Sequence, residues 1–186
     1  MAANDRDMRP DPALSEHHDV LPDGTRVFVR PLRHEDAALY PDFIAAVSIV
    51  DSRLRFFAPI RELSEHRIEE FTHFDPERAM AFIAIDEAAG KMLGVVRLHL
   101  DDDRQGGEYA VIVRSALKGH GLGWLLMRRM IDYAKAAGLK RVHGYVLAEN
   151  TLMLRMCAEL GFKVTSTAST NIKRVMLTLD QPASPS

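Results

Sequence analysis

The residues best suited to bind a ligand form the run K-G-H-G-L-G, with glycines at positions 119, 121 and 123. An apolar strand-like segment precedes the run, and helical periodicity begins at its end. Glycine lets the backbone approach a ligand closely and adopt positive φ. A helix N-terminus adds unpaired N–H groups and the positive end of its dipole. The run therefore predicts a phosphate or pyrophosphate site. On spacing alone, a tight strand-to-helix turn is an equally good interpretation.

Two common phosphate-binding motifs do not fit this run. No Lys-Ser or Lys-Thr follows the last glycine, which excludes a P-loop. Three strand-like segments that look antiparallel come before it, so it does not open the β-α-β unit of a dinucleotide fold. The sequence therefore predicts a nucleotide-like ligand bound beside the fourth strand of a mixed sheet.

The composition bounds the classes of protein to consider. The chain has 186 residues, enough for one domain. Its net charge of −2 predicts neither nucleic acid nor an anionic membrane as a partner, and it indicates no particular oligomeric state. A single cysteine, Cys157, excludes an internal disulfide. No signal peptide and no membrane-spanning run are recognisable, so we expect a cytoplasmic protein.

The elements that position the glycine run alternate between strand and helix periods. Residues 1–20 and 181–186 predict flexible tails around a domain at 21–180. Strands are predicted at 25–32, 79–85, 92–100, 108–114, 141–147, 163–168 and 172–179. Helices are predicted from 34 to about 50, after Ser64 to about 73, at 122–137 and at 150–160. We expect an α/β (α+β) fold, namely a mixed, mostly antiparallel sheet of about seven strands with helices on both faces.

The glycine run resembles the acetyl-CoA signature of the GNAT superfamily of N-acetyltransferases. In that signature a Gln or Arg is followed by x-x-G-x-G or x-x-G-x-A, and here Lys118, Gly121 and Gly123 occupy the matching positions. AENTLMLRMCAELGF is similar to the second motif of the family, in which an Asn opens a helix that ends in Gly-Phe. The resemblance covers roughly residues 21–179 and implies the same fold.

A narrower branch is more similar still. LPDGTRVFVRPLRHEDA, RLRFFAPIREL, FTHFDPERAMAFIAI and GEYAVIVRSALKGHGLG all resemble the acetyltransferase domain of bacterial Pat-type protein lysine acetyltransferases. In that branch a lysine is familiar at the position of Lys118. Its members often carry an acyl-CoA-synthetase-like domain before the acetyltransferase. We expect neither that domain nor a cyclic-nucleotide-binding domain in these 186 residues.

The resemblance implies that acetyl-CoA binds along one strand, the glycine loop and the next helix start. The main chain of residues 111–113 would pair with the pantetheine arm, and a free amide there could bond the thioester oxygen. Lys118 would add charge near the phosphates or lie solvated, and Asn150 would bond the pantetheine arm, cap its helix, or both. His120 would contribute its amide. The implied cofactor-binding residues are Val111, Ile112, Val113, Lys118, Gly119, His120, Gly121, Leu122, Gly123 and Asn150.

Glu108 is the candidate catalytic residue, because it opens the apolar strand that leads to the glycine loop. Acetyl transfer to lysine requires deprotonation of an ammonium group with a pKa of about 10.4. On the residues alone, a solvated carboxylate at a strand end is the favoured interpretation. In the Pat branch a glutamate in the matching place is held to be the general base, and this resemblance reverses the preference.

The acceptor side of the fold is expected before the predicted helix that follows Ser64. The candidates for acceptor contact there are Arg53, Arg55, Phe56 and Phe57. The segment 48–62 carries three arginines against Asp51 and Glu62, which argues against a polycationic acceptor.

Two other features carry no predicted chemistry. Cys157 lies seven residues after Asn150, where many GNAT enzymes have a tyrosine that acts as general acid. A lone cysteine among Leu and Met is typical of a core, so Cys157 is not predicted to be catalytic. The run Glu-His-His-Asp at 16–19 lies in a predicted tail, and we predict no metal.

The sequence therefore favours acetyl transfer from acetyl-CoA to a protein lysine, with acyl-CoA synthetases among the possible acceptors. One alternative is a GNAT enzyme that acetylates a small amine. The other is a catalytically silent module that binds acyl-CoA, against which Glu108 speaks.

Overall fold

The computed structural model describes residues 16–179, which contain eight strands and five α-helices. The first half holds β1 (His17–Val20), β2 (Arg26–Pro31), α1 (Tyr40–Ala45), α2 (Ile49–Phe56), α3 (Glu65–Thr72) and β3 (Ala79–Asp86). The second half holds β4 (Met92–Leu100), β5 (Gly106–Val113), α4 (Leu122–Ala136), β6 (Arg141–Leu147), α5 (Thr151–Glu159), β7 (Lys163–Ser166) and β8 (Ile172–Thr178). Two 3-10 turns, His34–Leu39 and Ser115–Leu117, precede α1 and the glycine loop. Within these residues no helix is long and apolar enough to cross a membrane.

All eight strands form one sheet in the order β1-β2-β3-β4-β5-β6-β8-β7. Every neighbouring pair is antiparallel except β5 and β6, which run parallel. The mixed, mostly antiparallel sheet predicted from the sequence is therefore confirmed, with one strand more than expected.

Helices cover both faces of the sheet. On one face α4 buries Leu122, Leu126 and Met130 in a cluster that also includes Cys157 of α5. On the other face the helices α1 to α3 pack over a second cluster that includes Phe43. Apolar residues at three- and four-residue spacing along α4 account for its buried stripe. The two-sided packing places the parallel pair β5–β6 between two layers of helix.

Several predicted boundaries are confirmed. The strands at 92–100 and 141–147 agree residue by residue, and the others agree to within about two residues. Ser64 caps α3, because its Oγ accepts a hydrogen bond from the Arg67 amide at 3.3 Å. Turn-rich joins between apolar runs therefore gave reliable positions for the three central hairpin strands.

The single helix predicted from 34 to about 50 is wrong. The segment divides into a 3-10 turn, α1 and α2, and α2 continues to Phe56. The break lies at Ser48, which has extended backbone and caps α2 by accepting from the Asp51 amide at 3.0 Å. Ser48 and Asp51 form the S-x-x-D pattern that marks a helix start. Continuous apolar spacing on both sides of Ser48 concealed this signal.

The predicted N-terminal tail is also wrong for residues 17–20, which form β1 and pair antiparallel with β2. This edge strand has few apolar residues, and main-chain hydrogen bonds and surface contacts stabilise it. The His18 ring stacks on Phe28 at 4.6 Å, and Asp19 pairs with Arg129 at 3.1 Å. Residues 1–15 and 180–186 lie outside the described residues, so the tails there stay a prediction.

Candidate active site

β5 and β6 separate immediately after Glu108. Their parallel pairing comprises only three residue pairs, and the last joins Glu108 to His143. β5 nevertheless stays paired with β4 through Val113. One edge of β5 is therefore open from Tyr109 onwards, and a gap widens between the two strands toward their carboxyl ends.

The hydrogen bonds of β5 decide which main-chain groups face this gap. The Gly106 oxygen and the Arg114 amide both bond the β4 side of the ladder. Because bonding alternates along an antiparallel ladder, even-numbered residues of β5 face β4 and odd-numbered residues face the gap. The amide and carbonyl groups of Val111 and Val113 therefore point into the gap. Those of Ile112 face β4, so the structure does not support a main-chain contact from Ile112 to a ligand.

The gap belongs to a cavity of about 310 Å³, lined by residues of α2, β5, β6 and α5 and of the start of α4. The cavity also receives exposed apolar side chains, which are otherwise unfavourable at a surface. These are Phe57, Trp124, Tyr145 and Leu152. The predicted cofactor-binding residues on its wall are Val111, Ile112, Val113, Lys118, Gly119, Gly121, Gly123 and Asn150.

The glycine loop has the geometry expected of a phosphate cradle. Gly119 and Gly121 have φ of 78° and 88°, a region that L-residues with a side chain rarely adopt. Gly121 caps α4 without a side chain, and the first intrahelical bond runs from the Leu125 amide to the Gly121 oxygen. The amides of Leu122 and Gly123 thus have no acceptor in the helix. The Leu122 side chain is fully buried, so only its main chain can meet a ligand.

The amide of His120 is engaged within the glycine loop. Its amide donates to the Leu117 oxygen at 3.2 Å, which engages the amide inside the loop. Its ring is exposed and lies 3.4 Å from Asp23. The contribution of this amide to the cradle stays a prediction, and it would require the bond to Leu117 to be exchanged for one to the ligand.

Lys118 is held at the cavity by Asp51 of α2. Its Nζ lies 2.5 Å from Asp51 Oδ1, and the Ser115 hydroxyl donates to Oδ2 of the same carboxylate at 2.5 Å. Burial alone would raise the pKa of Asp51, but the hydrogen bonds from Lys118 and Ser115 outweigh burial and lower it. The loop cation is thus neither free in solvent nor unpaired.

Asn150 caps α5, because its Oδ1 accepts from the Met153 amide at 3.2 Å. The same residue lines the cavity. The capping bond uses only the carbonyl oxygen of the side chain, and the amide nitrogen remains able to donate to a ligand. Both interpretations made from the sequence are therefore compatible with one conformation.

Glu108 is exposed and lies on the cavity wall where the strands begin to separate. It shares a sheet face with Ile112, four residues on, and therefore faces the side covered by α1 to α3. In register, His99 of β4 and His143 of β6 flank it. The carboxylate is thus at the opposite end of β5 from the glycine loop.

Comparisons with known proteins identify the family. Residues 46–162 match the family model described as the Acetyltransferase (GNAT) family. The chain belongs to the GNAT acetyltransferase family. GNAT enzymes are acyl-CoA N-acyltransferases, and this fold uses acetyl-CoA.

Three similar proteins illustrate the relationship. Acetyltransferase PA5475 of Pseudomonas aeruginosa is 32% identical over 144 residues, 76% of this chain and 77% of that protein. The GNAT domain of S. lividans PAT superposes with a TM-score of 0.84 at 26% identity, over 91% of this chain and 100% of that one. Spermidine N-acetyltransferase from Vibrio cholerae, in complex with CoA and spermine, superposes with a TM-score of 0.68 at 18% identity, over 82% of this chain and 95% of that one. A likeness at this identity shows the fold alone.

Cys157 lies beside a tyrosine that the sequence did not single out. The Tyr109 hydroxyl is 3.1 Å from Cys157 Sγ, and Tyr109 also lines the cavity of this GNAT domain. Burial raises the pKa of Cys157, against the opposing hydrogen bond from Tyr109. Burial, and next the neighbouring thiol, raise the pKa of Tyr109. Both groups are therefore neutral near pH 7.

Strand pairing brings two histidines, His99 and His143, next to Glu108. His143 Nε2 lies 2.8 Å from Asp101 Oδ1, and its Nδ1 is buried without a partner among the described residues. Burial, followed by Arg97 and Arg55, lowers the pKa of His99. Only strand pairing puts these side chains next to Glu108, so no sequence spacing could reveal them. Among residues 16–179, these three included, no group of three or more His, Cys, Asp or Glu could hold a metal.

The predicted acceptor residues divide into two groups. Arg55 and Phe57 line the cavity. Arg53 instead pairs with Glu149 at 2.7 Å on the surface, and Phe56 packs against the cluster beneath α1 to α3. Arg53 and Arg55 are two apart on α2 and point in different directions, whereas Phe57 follows the end of the helix with φ of 59°.

Proposed function

We propose that this GNAT enzyme transfers the acetyl group of acetyl-CoA to a lysine side chain of another protein, with Glu108 as general base. The observation that carries the proposal is the position of Glu108 at the point where β5 and β6 part, on the wall of the cavity whose other end is the glycine loop. A thioester lying along the open edge of β5 would place its reacting carbon between these two features.

The residues of the site suit this reaction. Glu108 takes a proton from the lysine ammonium, directly or through water, and the resulting amine attacks the thioester carbonyl carbon. An amide of Val111 or Val113 can donate to the carbonyl oxygen as negative charge develops on it. Formation of the amide bond breaks the carbon–sulfur bond, and CoA leaves as a thiolate that is protonated from solvent.

The first turn of α4 and the glycine loop are proposed to hold the phosphates of acetyl-CoA. The amides of Leu122 and Gly123 and the positive helix end favour an anion there. The ammonium group of Lys118, which now pairs with Asp51, would also donate a hydrogen bond to a phosphate. Asn150 and the gap-facing groups of β5 would bond the pantetheine arm.

The cavity favours a protein over a polyamine as the acceptor. The cavity is lined by three carboxylates, those of Asp51, Glu108 and Glu159, and Asp51 already pairs with Lys118. Arg55 adds a cation that interacts with Glu108. A polycation would meet repulsion from that arginine. The exposed apolar residues at the cavity are of the kind that protein interfaces bury. The similarity to the GNAT domain of S. lividans PAT supports the same choice. The single, unpaired cysteine supports a cytoplasmic location.

One experiment separates the candidate functions. The full chain would be incubated with radiolabelled acetyl-CoA in three parallel reactions. The first contains a panel of proteins that includes acyl-CoA synthetases, the second contains spermidine, and the third contains no acceptor. We expect label on protein lysines that disappears with the Glu108→Gln variant. Label on spermidine alone would contradict the protein acceptor. CoA binding without transfer to any acceptor would indicate a silent acyl-CoA-binding module.

A further inference from the structure

Two arginines without carboxylate partners lie at the Glu108 end of the cavity. Arg55 of α2 lines the cavity and interacts electrostatically with Glu108, but the two do not form an ion pair. Arg97 of β4 lies behind Arg55 and is 6% exposed. Among residues 16–179, neither guanidinium group contacts a carboxylate.

The contacts that these arginines do make are weak compensation for their charge. Arg55 Cζ lies 4.7 Å from the centre of the Phe56 ring, and its Nε is buried without a hydrogen-bond partner in the described chain. Arg97 Nη2 donates to the Phe71 oxygen at 2.5 Å, and its Cζ lies 5.1 Å from the Phe74 ring. Aromatic faces attract cations. They recover only a fraction of what is lost when a charge leaves water.

Arg30, a buried arginine of the same chain, shows the ordinary arrangement. Arg30 is 8% exposed, and its guanidinium donates to both oxygens of Asp36, at 2.7 and 2.8 Å. A buried cation is normally satisfied in this way, by a bidentate carboxylate. Arg55 is half-buried, lines the cavity and has no such partner, so its guanidinium is available to pair with a carboxylate of a ligand.

Arg55 remains charged although its surroundings oppose this. Burial, and next the repulsion from Arg97, lower the pKa of Arg55 to about 10, with Glu108 acting in the opposite sense. Even at that value the guanidinium is protonated at neutral pH. The result is an uncompensated positive charge on the cavity wall, and Arg97 strengthens it from behind.

We infer that Arg55 binds a carboxylate of the acceptor, an Asp or Glu side chain that neighbours the acetylated lysine. The inference rests on the proposed function, because it takes the reacting amine to lie at Glu108. We assign the anion to the acceptor rather than to acetyl-CoA because Arg55 interacts with Glu108, and the strand from Glu108 to Val113, before the glycine loop, is about 17 Å long. The space between Arg55 and Arg97 is about 20 Å³, room for one water, so the carboxylate approaches from the main cavity.

The test uses two synthetic peptides that are identical except for Glu or Gln beside a single lysine. We would measure kcat/KM for both with the full chain, and separately the affinity of both for the CoA-loaded protein. We expect wild type to prefer the Glu peptide by about tenfold in both measurements. Arg55→Gln should reduce the preference to within about twofold and leave CoA affinity unchanged. Arg61→Gln, an equal loss of charge at an exposed position outside the cavity lining, should retain the preference.

The outcomes distinguish this inference from the proposed function. Equal acetylation of both peptides by wild type would overturn the carboxylate site while the proposed function stands. Preferential binding of the Glu peptide without any acetylation would uphold the site and contradict the function. Arg55→Met provides a second readout, because replacing a half-buried, unpaired charge by an apolar group should not lower the melting temperature. A lower melting temperature with an unchanged peptide preference would show that Arg55 is structural and overturn the inference.

Discussion

Lys118 of the glycine loop and Asp51 of α2 form an ion pair, with 2.5 Å between Nζ and Oδ1. Together with the Ser115 hydroxyl, which bonds Oδ2, the pair fastens the loop to α2. The cation that was expected either near the phosphates or in solvent is therefore partly neutralised before any ligand binds. This carboxylate has a second consequence, for the dependence of stability on pH.

We expect Asp51→Asn to lower the melting temperature by about 2–4 °C near pH 7. This shift corresponds to a loss of about 1 kcal/mol in the free energy of unfolding of a chain of this size. The pKa of Asp51 is lower in the folded protein than its usual value, because hydrogen bonds from Lys118 and Ser115 outweigh the opposing effect of burial. Its contribution is therefore present above the unfolded value of about 3.9 and lost as the pH falls through the folded value. Thermal unfolding from about pH 3 to pH 7 would show the difference between the two proteins shrink at the acid end.

The matched control for this ion pair is Lys118→Gln. It should cost a similar amount near pH 7, and the double variant should cost no more than either single one. A deficit of Asp51→Asn that is equal at pH 3 and pH 7 would mean that the charge is not the cause.

The glycine loop can be tested with two substitutions of different character. Gly121→Val should abolish the rise in melting temperature produced by CoA, but it also strains a residue with φ of 88°. Gly123→Ala is the cleaner variant, since its added Cβ would lie 3.8 Å from Met156 Sδ, an ordinary contact. Alanine favours a helix over glycine by about 1 kcal/mol, so the unliganded protein should be no less stable. We expect its CoA affinity to fall about tenfold or more, because the Cβ occupies the place of close approach. Unchanged affinity in both variants would refute this position for the phosphates.

Cys157 should be dispensable and unreactive in the native protein. Burial raises the pKa of its thiol, which keeps the thiolate fraction near pH 7 to 8 below that of a free cysteine. We expect iodoacetamide to modify it far more slowly than in the denatured chain. We also expect Cys157→Ala to keep turnover within about threefold of wild type. A loss of about a hundredfold would instead implicate the pair of Cys157 and Tyr109 in proton transfer to the departing thiolate.

The sequence predicted what local patterns control. The period of α4, the caps Ser64 and Asn150 and the glycine positions depend on neighbours within a few residues, and the structure has them where expected. The break at Ser48 was missed because the apolar spacing continues across it. β1 was missed because an edge strand needs no apolar period.

The rest of the site depends on pairing between distant segments. His99, Glu108 and His143 become neighbours only through the register of three strands. Arg55 and Arg97 are 42 positions apart in the chain, and they come close together because α2 lies over the sheet. The hydrogen bond from the His120 amide to Leu117 was not predicted, because it is a detail of loop geometry. None of these relationships leaves a periodic signal in the sequence.

Glu108→Gln tests the proposed base directly. The change removes the proton acceptor and keeps the shape of the side chain, which is exposed and contributes little to packing. We expect CoA affinity to stay near wild type while turnover on a protein lysine falls by roughly two to four orders of magnitude. The remaining rate should rise with pH up to about pH 10, because free amine then forms without help from the enzyme. Initial rates of both proteins across about pH 6 to 10, with CoA binding measured separately, would show this difference.

Glu159→Gln is the matched control, since Glu159 also lines the cavity but lies at the end of α5 rather than where the strands part. We expect it to change turnover by no more than a few-fold, because a carboxylate must lie within hydrogen-bond reach of the amine to take its proton. If Glu108→Gln kept wild-type turnover near pH 7, Glu108 would be a surface carboxylate. If Glu159→Gln showed the large loss instead, the base would lie on α5, and the acceptor would enter the cavity from that side.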